Sequence, residues 1–222
     1  MKIVRVASLF SILCSCVLAA GCITGRVLHL PGDLARGERG VPAPPGARGG
    51  AAVAVLDFAW AGPPSGEIGR DFDGARPIVW KGSPGKAVPD LIASVLAEKG
   101  VRAVRVAGEA DVPPDAAATV WGAVDEFRVN AKRTGTVMVE AAACVSATVH
   151  GSAPDAPSRW STSAACDYWY NDPLFVTPEG IRDAVNGAAN AVAEEAVRRL
   201  AAAGVVKLPA PPPPGQGAEG GR

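Results

Sequence analysis

The feature that most constrains the fold is a strict alternation of apolar residues between positions 136 and 150. Valine or alanine occupies every odd position from Val137 to Val149, whereas the even positions include Glu140, Thr148 and His150. Successive side chains of a strand point to opposite faces, so the pattern predicts a long strand that is apolar on one side only. Such a strand is typical of an antiparallel sheet with one covered face.

The rest of the chain supplies further elements around this strand. Short apolar or alternating runs predict four more strands, and two stretches with apolar residues at helical spacing predict helices. The predicted order is β-α-β-β-β-β-α, with strands at 51–58, 101–106, 118–131, 136–150 and 158–170 and helices at 88–99 and 177–204. We therefore predict an α+β two-layer sandwich, a mostly antiparallel sheet with two helices on one face.

Both helices carry terminal residues that favour their ends. Pro89 is tolerable in the first turn of the first helix, and Gly100 suits the left-handed residue that follows it. In the second helix we expect Thr177 to be the N-cap, Pro178 the first helical residue and Gly204 the residue that closes it.

The frequent glycine and proline residues between positions 59 and 86 predict a long loop. It contains Trp60, Ile68 and the apolar residues at 78–80. These last residues either add an edge strand or pack the loop onto the domain.

The first 22 residues predict an export signal. Lys2 and Arg5 precede a short apolar run, and Ala19-Ala20-Gly21-Cys22 resembles the bacterial lipobox, in which the cysteine is acylated after cleavage before it. The run is too short to cross about 30 Å of hydrocarbon as a stable helix. The alternative is a soluble secreted protein cut near Ala19 or Ala20.

Removal of residues 1–21 leaves 20 basic against 22 acidic residues. This balance offers no electrostatic footprint for nucleic acid and no basic patch for anionic lipid. Membrane attachment is therefore expected through lipid on Cys22, with acyl chains such as palmitate. Ile23 lacks the acidic character that would favour inner-membrane retention, so we expect the periplasmic face of the outer membrane.

Two segments rich in proline and glycine flank the domain. We predict a signal peptide at 1–21, a flexible tether at 22–50, one domain at 51–206 and a disordered tail at 207–222. The tail contains four consecutive prolines, which form either an inert extension or a partner-binding segment.

Two cysteines remain in the mature domain once Cys22 is assigned to lipid. Cys144 and Cys166 are equally spaced about Asp155, which lies in a turn with Pro154 and Pro157; this places them opposite each other in a hairpin and predicts a disulfide in an oxidising compartment. The alternative is two buried free thiols. The same register puts Ser161 and Ser163 beside apolar residues, so the returning strand is expected to carry a bulge or lie at an edge.

The sequence offers little material for catalysis. The only histidines are His29 and His150, and no cysteine or histidine spacing is typical of a zinc site. The segment 82–87 lacks the spacing of a phosphate-binding loop, and adjacent carboxylates such as Asp125 and Glu126 diverge on a strand. We expect no enzyme activity, no metal and no cofactor.

Aromatic residues concentrate near one strand: Trp160, Tyr168, Trp169 and Tyr170. Tyrosine and tryptophan favour interfaces because one part of each side chain is apolar and another is polar. The cluster predicts either core and edge packing or an interaction surface on the face without helices.

Several local patterns resemble those of the YajG-type lipoproteins. They are the strand Val-Ala-Val-Leu-Asp-Phe at 53–58, Ile68-Gly69, the helix ending in Lys-Gly, and the V-x-G-x-V-x-x-F-x-V pattern at 120–129. More loosely, the layout over 51–204 is similar to auxiliary lipoproteins of ABC-type lipid transport and to the LptE-type partner of the lipopolysaccharide translocon. The 59–86 loop, the cysteine pair and the proline tail depart from that pattern.

The resemblance implies a non-enzymatic envelope lipoprotein that acts as an accessory subunit of an outer-membrane or lipid-transport assembly, with an envelope protein as partner. The alternative from the residues themselves is a periplasmic solute- or glycan-binding lipoprotein that uses the aromatic face and the 59–86 loop.

Overall fold

The computed structural model describes residues 27–34, 52–71, 76–134, 138–154, 160–172 and 177–209, and only the backbone at 133, 134, 138, 139, 160 and 168–172. This part contains a mixed sheet and two α-helices. The strands are β1 (Leu28–Leu30), β2 (Val53–Leu56), β3 (Ala59–Trp60), β4 (Glu67–Asp71), β5 (Arg76–Trp80), β6 (Ala103–Val106), β7 (Ala118–Thr134), β8 (Met138–Ser152) and β9 (Trp160–Asp172). The helices are α1 (Pro84–Glu98) and α2 (Pro178–Ala202).

Strand β7 organises the sheet because it is long enough to hold several partners. On one side it pairs antiparallel with β8, which pairs antiparallel with β9. On its other side it pairs in turn with β2, β3 and β4, all parallel to it. Strand β6 extends the sheet beyond β2, while β5 and then β1 extend it beyond β4.

The two-layer α+β architecture is confirmed. The inward face of β7 and β8 shares one apolar core with both helices, which also contact each other. Val120, Val145 and Leu200 are fully buried in that core. The sheet is mixed rather than mostly antiparallel, because the short strands beside β7 are largely parallel to it.

Strand β2 is buried on both of its faces, which explains its uninterrupted apolar sequence. Val53 and Val55 belong to the main core. Ala54 and Leu56 lie on the opposite face, in a smaller cluster with Val106.

The predicted tether includes a piece of the fold. Residues 28–30 form β1, which pairs in parallel with β5, and Leu30 is only 1% exposed. Leu28, His29 and Leu30 are too few to form a strand alone, but they do so here because β5 supplies the hydrogen-bonding partner. Residues 22–26 and 35–50 lie outside the described part, as does the tail from 210.

The segment 59–86, predicted as a loop, contains three strands. It contains β3, β4 and β5 and the beginning of α1. Residues 78–80 belong to a strand as considered, but β5 pairs with β4 on one side and with β1 on the other, so it is not an edge strand. Strands β4 and β5 form an antiparallel hairpin with a register irregularity between Glu67 and Gly69. The loop prediction was wrong because these strands pair with β7 and β1, which lie far away in sequence.

Helix α1 begins four residues before its predicted start. Pro84 occupies the first turn, so Pro89 lies inside the helix. A proline inside a helix leaves one upstream carbonyl without its usual N–H donor. Here the Gly85 carbonyl accepts instead from the Phe58 backbone N–H at 2.8 Å. This bond ties the chain after β2 to the helix.

Helix α2 follows its predicted boundaries closely. The Gly180 backbone N–H donates to the Thr177 hydroxyl at 3.1 Å, so Thr177 is the N-cap. Gly204 has a φ of 74° just past the helix end. The predicted apolar stripe is buried: Ile181, Ala184, Val185, Ala188, Val192, Ala196 and Leu200.

The predicted register of β8 and β9 is wrong by one residue. Cys166 pairs with Val145, and Cys144 pairs with Asp167. The observed register puts Thr162 and Ala164 on the covered face and leaves Ser161 and Ser163 exposed. A shift of one residue moves every side chain of a strand to the other face, which removes the conflict over the two serines. The expectation of an edge position is met, since β9 pairs only with β8 among the described strands.

Among the described residues, neither helix combines the length and apolar character needed to cross a membrane.

Candidate functional site

The two cysteines of the domain lie on opposite faces of the sheet. Cys166 packs against the apolar core, and Cys144 lies on the face without helices. Both are free thiols in the structure. The geometric argument for a disulfide is therefore lost, because it required the two residues to be directly opposite. Cys22, the predicted lipidation site, lies outside the described part.

Cys144 sits among carboxylates. Its thiol donates to Glu126 at 3.1 Å, and Asp167 is its cross-strand neighbour. Partial burial, followed by hydrogen bonds to Asp167 and Glu126, raises the pKa of Cys144 from 9.0 to about 12. Burial and the charge of Asp167 also raise the pKa of Cys166. A thiol is nucleophilic only as the thiolate, so this site suppresses cysteine chemistry.

We expect Cys144 in the native full-length chain to react about 100- to 1,000-fold more slowly with iodoacetamide at pH 8 than an ordinary thiol, because the raised pKa reduces its thiolate fraction. Its rate should rise with pH toward 12. Peptide mass spectrometry after timed alkylation measures each cysteine separately.

The control is the same reaction in urea without reductant, where both cysteines should be alkylated rapidly. The double variant Glu126→Gln, Asp167→Asn should regain part of the reactivity in the native state. Ordinary reactivity of native Cys144 would contradict the inferred environment, and protection of both cysteines in urea would indicate a disulfide.

The four predicted aromatic residues do not share one face of β9. Positions 168 and 170 pair with Ala143 and Ala141, whereas position 169 pairs with Ala142. Strand positions alternate between faces, so Trp169 belongs to a different face from Tyr168 and Tyr170. Position 160 pairs with Gly151. The side chains of these four residues lie outside the described part.

The outer edge of β9 is the longest strand edge left unpaired among the described strands. The strand has 13 residues, and Ser161, Ser163 and Ala165 are exposed. Arg199 of α2 reaches this strand and donates to the Ser163 carbonyl at 2.6 Å and the Thr162 hydroxyl at 2.8 Å.

Glu195 holds the arginine side chains at the end of α2. It accepts from Arg199 at 2.5 Å and from Arg198 at 2.6 Å. These hydrogen bonds lower the pKa of Glu195 to about 2, so Glu195 stays ionised at neutral pH. Arg199 therefore links α2 to β9 at Thr162 and Ser163, near the beginning of the strand. The remaining residues of β9 extend beyond this contact.

A second feature is a cleft of about 210 Å³ between the β3–β4 turn and the start of α1. Phe127 lies beneath it, with its ring centroid 5.2 Å from that of Trp80 and 6.4 Å from that of Trp60, both edge-to-face. The residues that line the cleft come largely from the predicted loop: Trp60, Gly62, Pro63, Pro64, Gly66, Glu67, Ile68, Trp80, Gly82, Ser83 and Pro84.

The cleft contains three polar side chains. The indole N–H of Trp80 is buried and has no hydrogen-bond partner. Ser83 is the residue before α1, and its hydroxyl does not cap the helix. Glu67 accepts from Arg70 at 3.2 Å, which neutralises its charge locally. Sequence reasoning named the 59–86 segment as an alternative binding region but did not identify this cleft, because the strands that bring its walls together pair with residues far away in sequence.

The described residues contain no group of three or more His, Cys, Asp or Glu side chains placed to hold a metal ion. Acidic side chains of the helix-free face bond to neighbouring side chains. Thr148 donates to Asp125 at 2.7 Å, and Glu126 forms an ion pair with Arg128.

No family model and no curated protein sequence matches this chain. Among solved structures, an uncharacterised protein matches with a TM-score of 0.51 and 10% identity over 79% of this chain and 99% of its own. The protein XCC0632 from Xanthomonas campestris, of the family DUF330, matches with a TM-score of 0.50 and 12% identity over 80% of this chain and 97% of its own. At these identities the likeness shows a shared fold.

A PelC dodecamer from Paraburkholderia phytofirmans matches with a TM-score of 0.40 and 18% identity, over 67% of this chain and 86% of its own. At that score the match supports no further inference.

Proposed function

We propose that this chain is a non-catalytic bacterial envelope lipoprotein, anchored by lipid on Cys22 at the periplasmic face of the outer membrane. In this proposal it is an accessory or adaptor subunit of an outer-membrane or lipid-transport assembly, and its partner is an envelope protein rather than nucleic acid. The N-terminal sequence supports the anchor, and the near balance of acidic and basic residues argues against nucleic acid.

The observation that supports a protein partner is the outer edge of β9. An unpaired strand edge presents backbone N–H and C=O groups that can pair with a strand of another chain. Thirteen residues exceed the usual length of a strand, which is about 5–6 residues, so this edge can hold a substantial added strand. Of the described side chains at 161–167, the exposed Ser161, Ser163 and Ala165 are short and cover little of the backbone.

The experiment places a photo-crosslinking amino acid in the full-length chain in its native membrane, at position 165 or at position 130. Ala165 and Asn130 are both exposed on the helix-free face, but Ala165 lies on the edge strand and Asn130 on the central strand β7. We expect a discrete heterologous product from position 165 and none from position 130.

Two further measurements complete this experiment. The Cys22→Ser variant should leave the membrane fraction after carbonate washing, because it cannot be acylated, and should then lose the product. Repeated recovery of a strictly monomeric, uncrosslinked protein from position 165 would refute the adaptor role, as would crosslinking at both positions equally.

A second candidate function is the binding of a solute or glycan, and the cleft at Trp60 and Trp80 favours it. Binding sites for small molecules are concave and mostly apolar, with a few placed polar groups. This candidate rests on the 59–86 segment alone, because the aromatic positions of β9 alternate between faces.

A further inference from the structure

We propose that the cleft between Trp60 and Trp80 binds one uncharged sugar ring, presented as a single residue or as the end of a glycan. The proposal gives a ligand class to the second candidate function and rests on it. It is independent of the β9 edge, since the cleft lies on the other side of β7, at β4, β5 and the start of α1.

The walls of the cleft suit the apolar face of a sugar ring. Two indoles and three prolines line it, and these rigid flat groups pack against the C–H bonds of a pyranose at little cost in side-chain entropy. Its volume of about 210 Å³ is smaller than the 300–1,000 Å³ typical of sites for drug-sized ligands. The cleft therefore has room for one ring and not for a long chain.

The polar groups of the cleft suit hydroxyls. Trp80 supplies a buried N–H donor that lacks an acceptor, and leaving such a donor unpaired costs folding free energy. Ser83 can donate and accept, and Glu67 can accept. A ligand with several hydroxyl groups could engage all three residues. A polyproline peptide offers only carbonyl acceptors, so it has no N–H or O–H to donate to Glu67.

Charge favours an uncharged ligand. Glu67 is the ionisable residue among those that line the cleft, and it is already bonded to Arg70. The Glu67 carboxylate would repel an anionic sugar, and a cationic ligand would have to displace Arg70 from Glu67.

The walls are held in place before any ligand enters. The Gly66 N–H donates to the Pro63 carbonyl at 2.9 Å and closes a turn, and the Trp80 N–H of the backbone donates to the Gly66 carbonyl at 2.9 Å. The Trp60 ring lies directly against Gly62, where a Cβ would be only 1.8 Å from the ring atom Cζ2. A site formed in advance loses less entropy on binding.

The test uses the full mature chain in detergent, with its tryptophans replaced by 5-fluorotryptophan and assigned by Trp→Phe variants. Chitotriose, maltotriose and cellotriose are titrated separately and followed by fluorine NMR. We expect at least one trisaccharide to shift the resonances of Trp60 and Trp80 and to leave Trp121 unchanged. Trp121 is a matched control because it is half-buried like Trp60 but lies on the helix-free face, stacked on His150.

Variants that should fold normally extend the test. Ser83→Ala and Glu67→Gln should each weaken binding about 3- to 10-fold, as expected for one hydrogen bond. Trp80→Phe removes the unpaired N–H together with the five-membered part of the indole, so it should weaken binding and also lower the melting temperature, because Trp80 is only 2% exposed. Trp121→Ala and the edge variant Ala165→Lys should bind as the wild type does.

Three outcomes would overturn the proposal: no shift with any of the three sugars, shifts confined to other tryptophans, or equal affinity in Ser83→Ala, Glu67→Gln and the wild type. A decaproline peptide that shifts Trp60 and Trp80 when no sugar does would overturn it in favour of peptide binding. None of these results bears on the crosslinking at position 165, so the two proposals fail separately.

Discussion

Phe127→Ala is expected to lower the free energy of unfolding by about 3–5 kcal/mol, the range for removing a buried aromatic ring. Phe127 is only 3% exposed and lies between Trp60 and Trp80 in edge-to-face contacts. It joins the central strand β7 to strands β3 and β5, so its loss leaves a cavity where three elements meet. Thermal unfolding followed by circular dichroism should show a melting temperature lower by roughly 6–20 °C.

Phe127→Leu is the matched control, because it keeps much of the apolar volume and should cost less than about 1.5–2 kcal/mol. The difference in the free energy of unfolding between Phe127→Ala and Phe127→Leu reports the cost of the cavity, because both variants lack the aromatic ring. If Phe127→Ala unfolded within about 1 kcal/mol of the wild type, the aromatic cluster would not belong to the cooperative core.

The long strands and α2 were predictable because their patterns are local. In β8 one face is buried at every second position from Ala141 to Val149, so the alternation of apolar residues leaves little ambiguity. In α2 the N-cap Thr177, the first-turn proline and the apolar stripe all agree on one helix. Both elements would be recognised from their own residues without knowledge of their partners.

The short parallel strands were not predictable in this way. Strand β1 has three residues and gains its ladder from β5, whose residues lie 50 positions further along the chain. Strand β4 begins at a turn and includes Gly69, which a local reading assigns to a loop. These short strands form because the sheet organised around β7 supplies their partners. The residues of each short segment do not reveal which distant strand it will pair with.

The register of β8 and β9 shows the limit of reasoning from a turn. The prolines near 155 gave a symmetric turn that made Cys144 and Cys166 opposite, but a shift of one residue separates them by a sheet face. The alternation within β9 was the better guide: Thr162 and Ala164 fit the covered face, and Ser161 and Ser163 fit the exposed one. Burial determines register more strongly than turn symmetry does.

Sequence analysis named the 59–86 segment for solute or glycan binding, but the cleft itself was not predictable, for the same reason as the short strands. Its walls come from the β3–β4 turn, the end of β5 and the start of α1, and only the pairing with β7 brings them together. Trp60 and Trp80 are 20 positions apart, and their contact through Phe127 is visible only in the folded chain.

Gly85→Ala is expected to destabilise the domain by about 2 kcal/mol or more, although alanine is normally the better helix former by about 1 kcal/mol. Gly85 lies in the first turn of α1, and a Cβ there would be 2.3 Å from the Phe58 carbonyl oxygen. That oxygen belongs to the backbone and cannot rotate away. Urea unfolding of the full chain gives the free-energy difference.

Pro89 helps to explain why Gly85→Ala should destabilise the domain although alanine favours a helix. Because Pro89 has no N–H, the Gly85 carbonyl is free to accept from Phe58, and this bond at 2.8 Å draws the chain after β2 against the helix. Any displacement that relieves the new methyl group must stretch that bond or move Trp60, whose Cβ would be 3.3 Å away. Lys86→Ala, at the exposed neighbouring position, should change stability by no more than about 0.5 kcal/mol. Equal stability of Gly85→Ala and Lys86→Ala would mean that the helix start is not held against Phe58, and that the wall of the cleft formed by Ser83 and Pro84 is free to move.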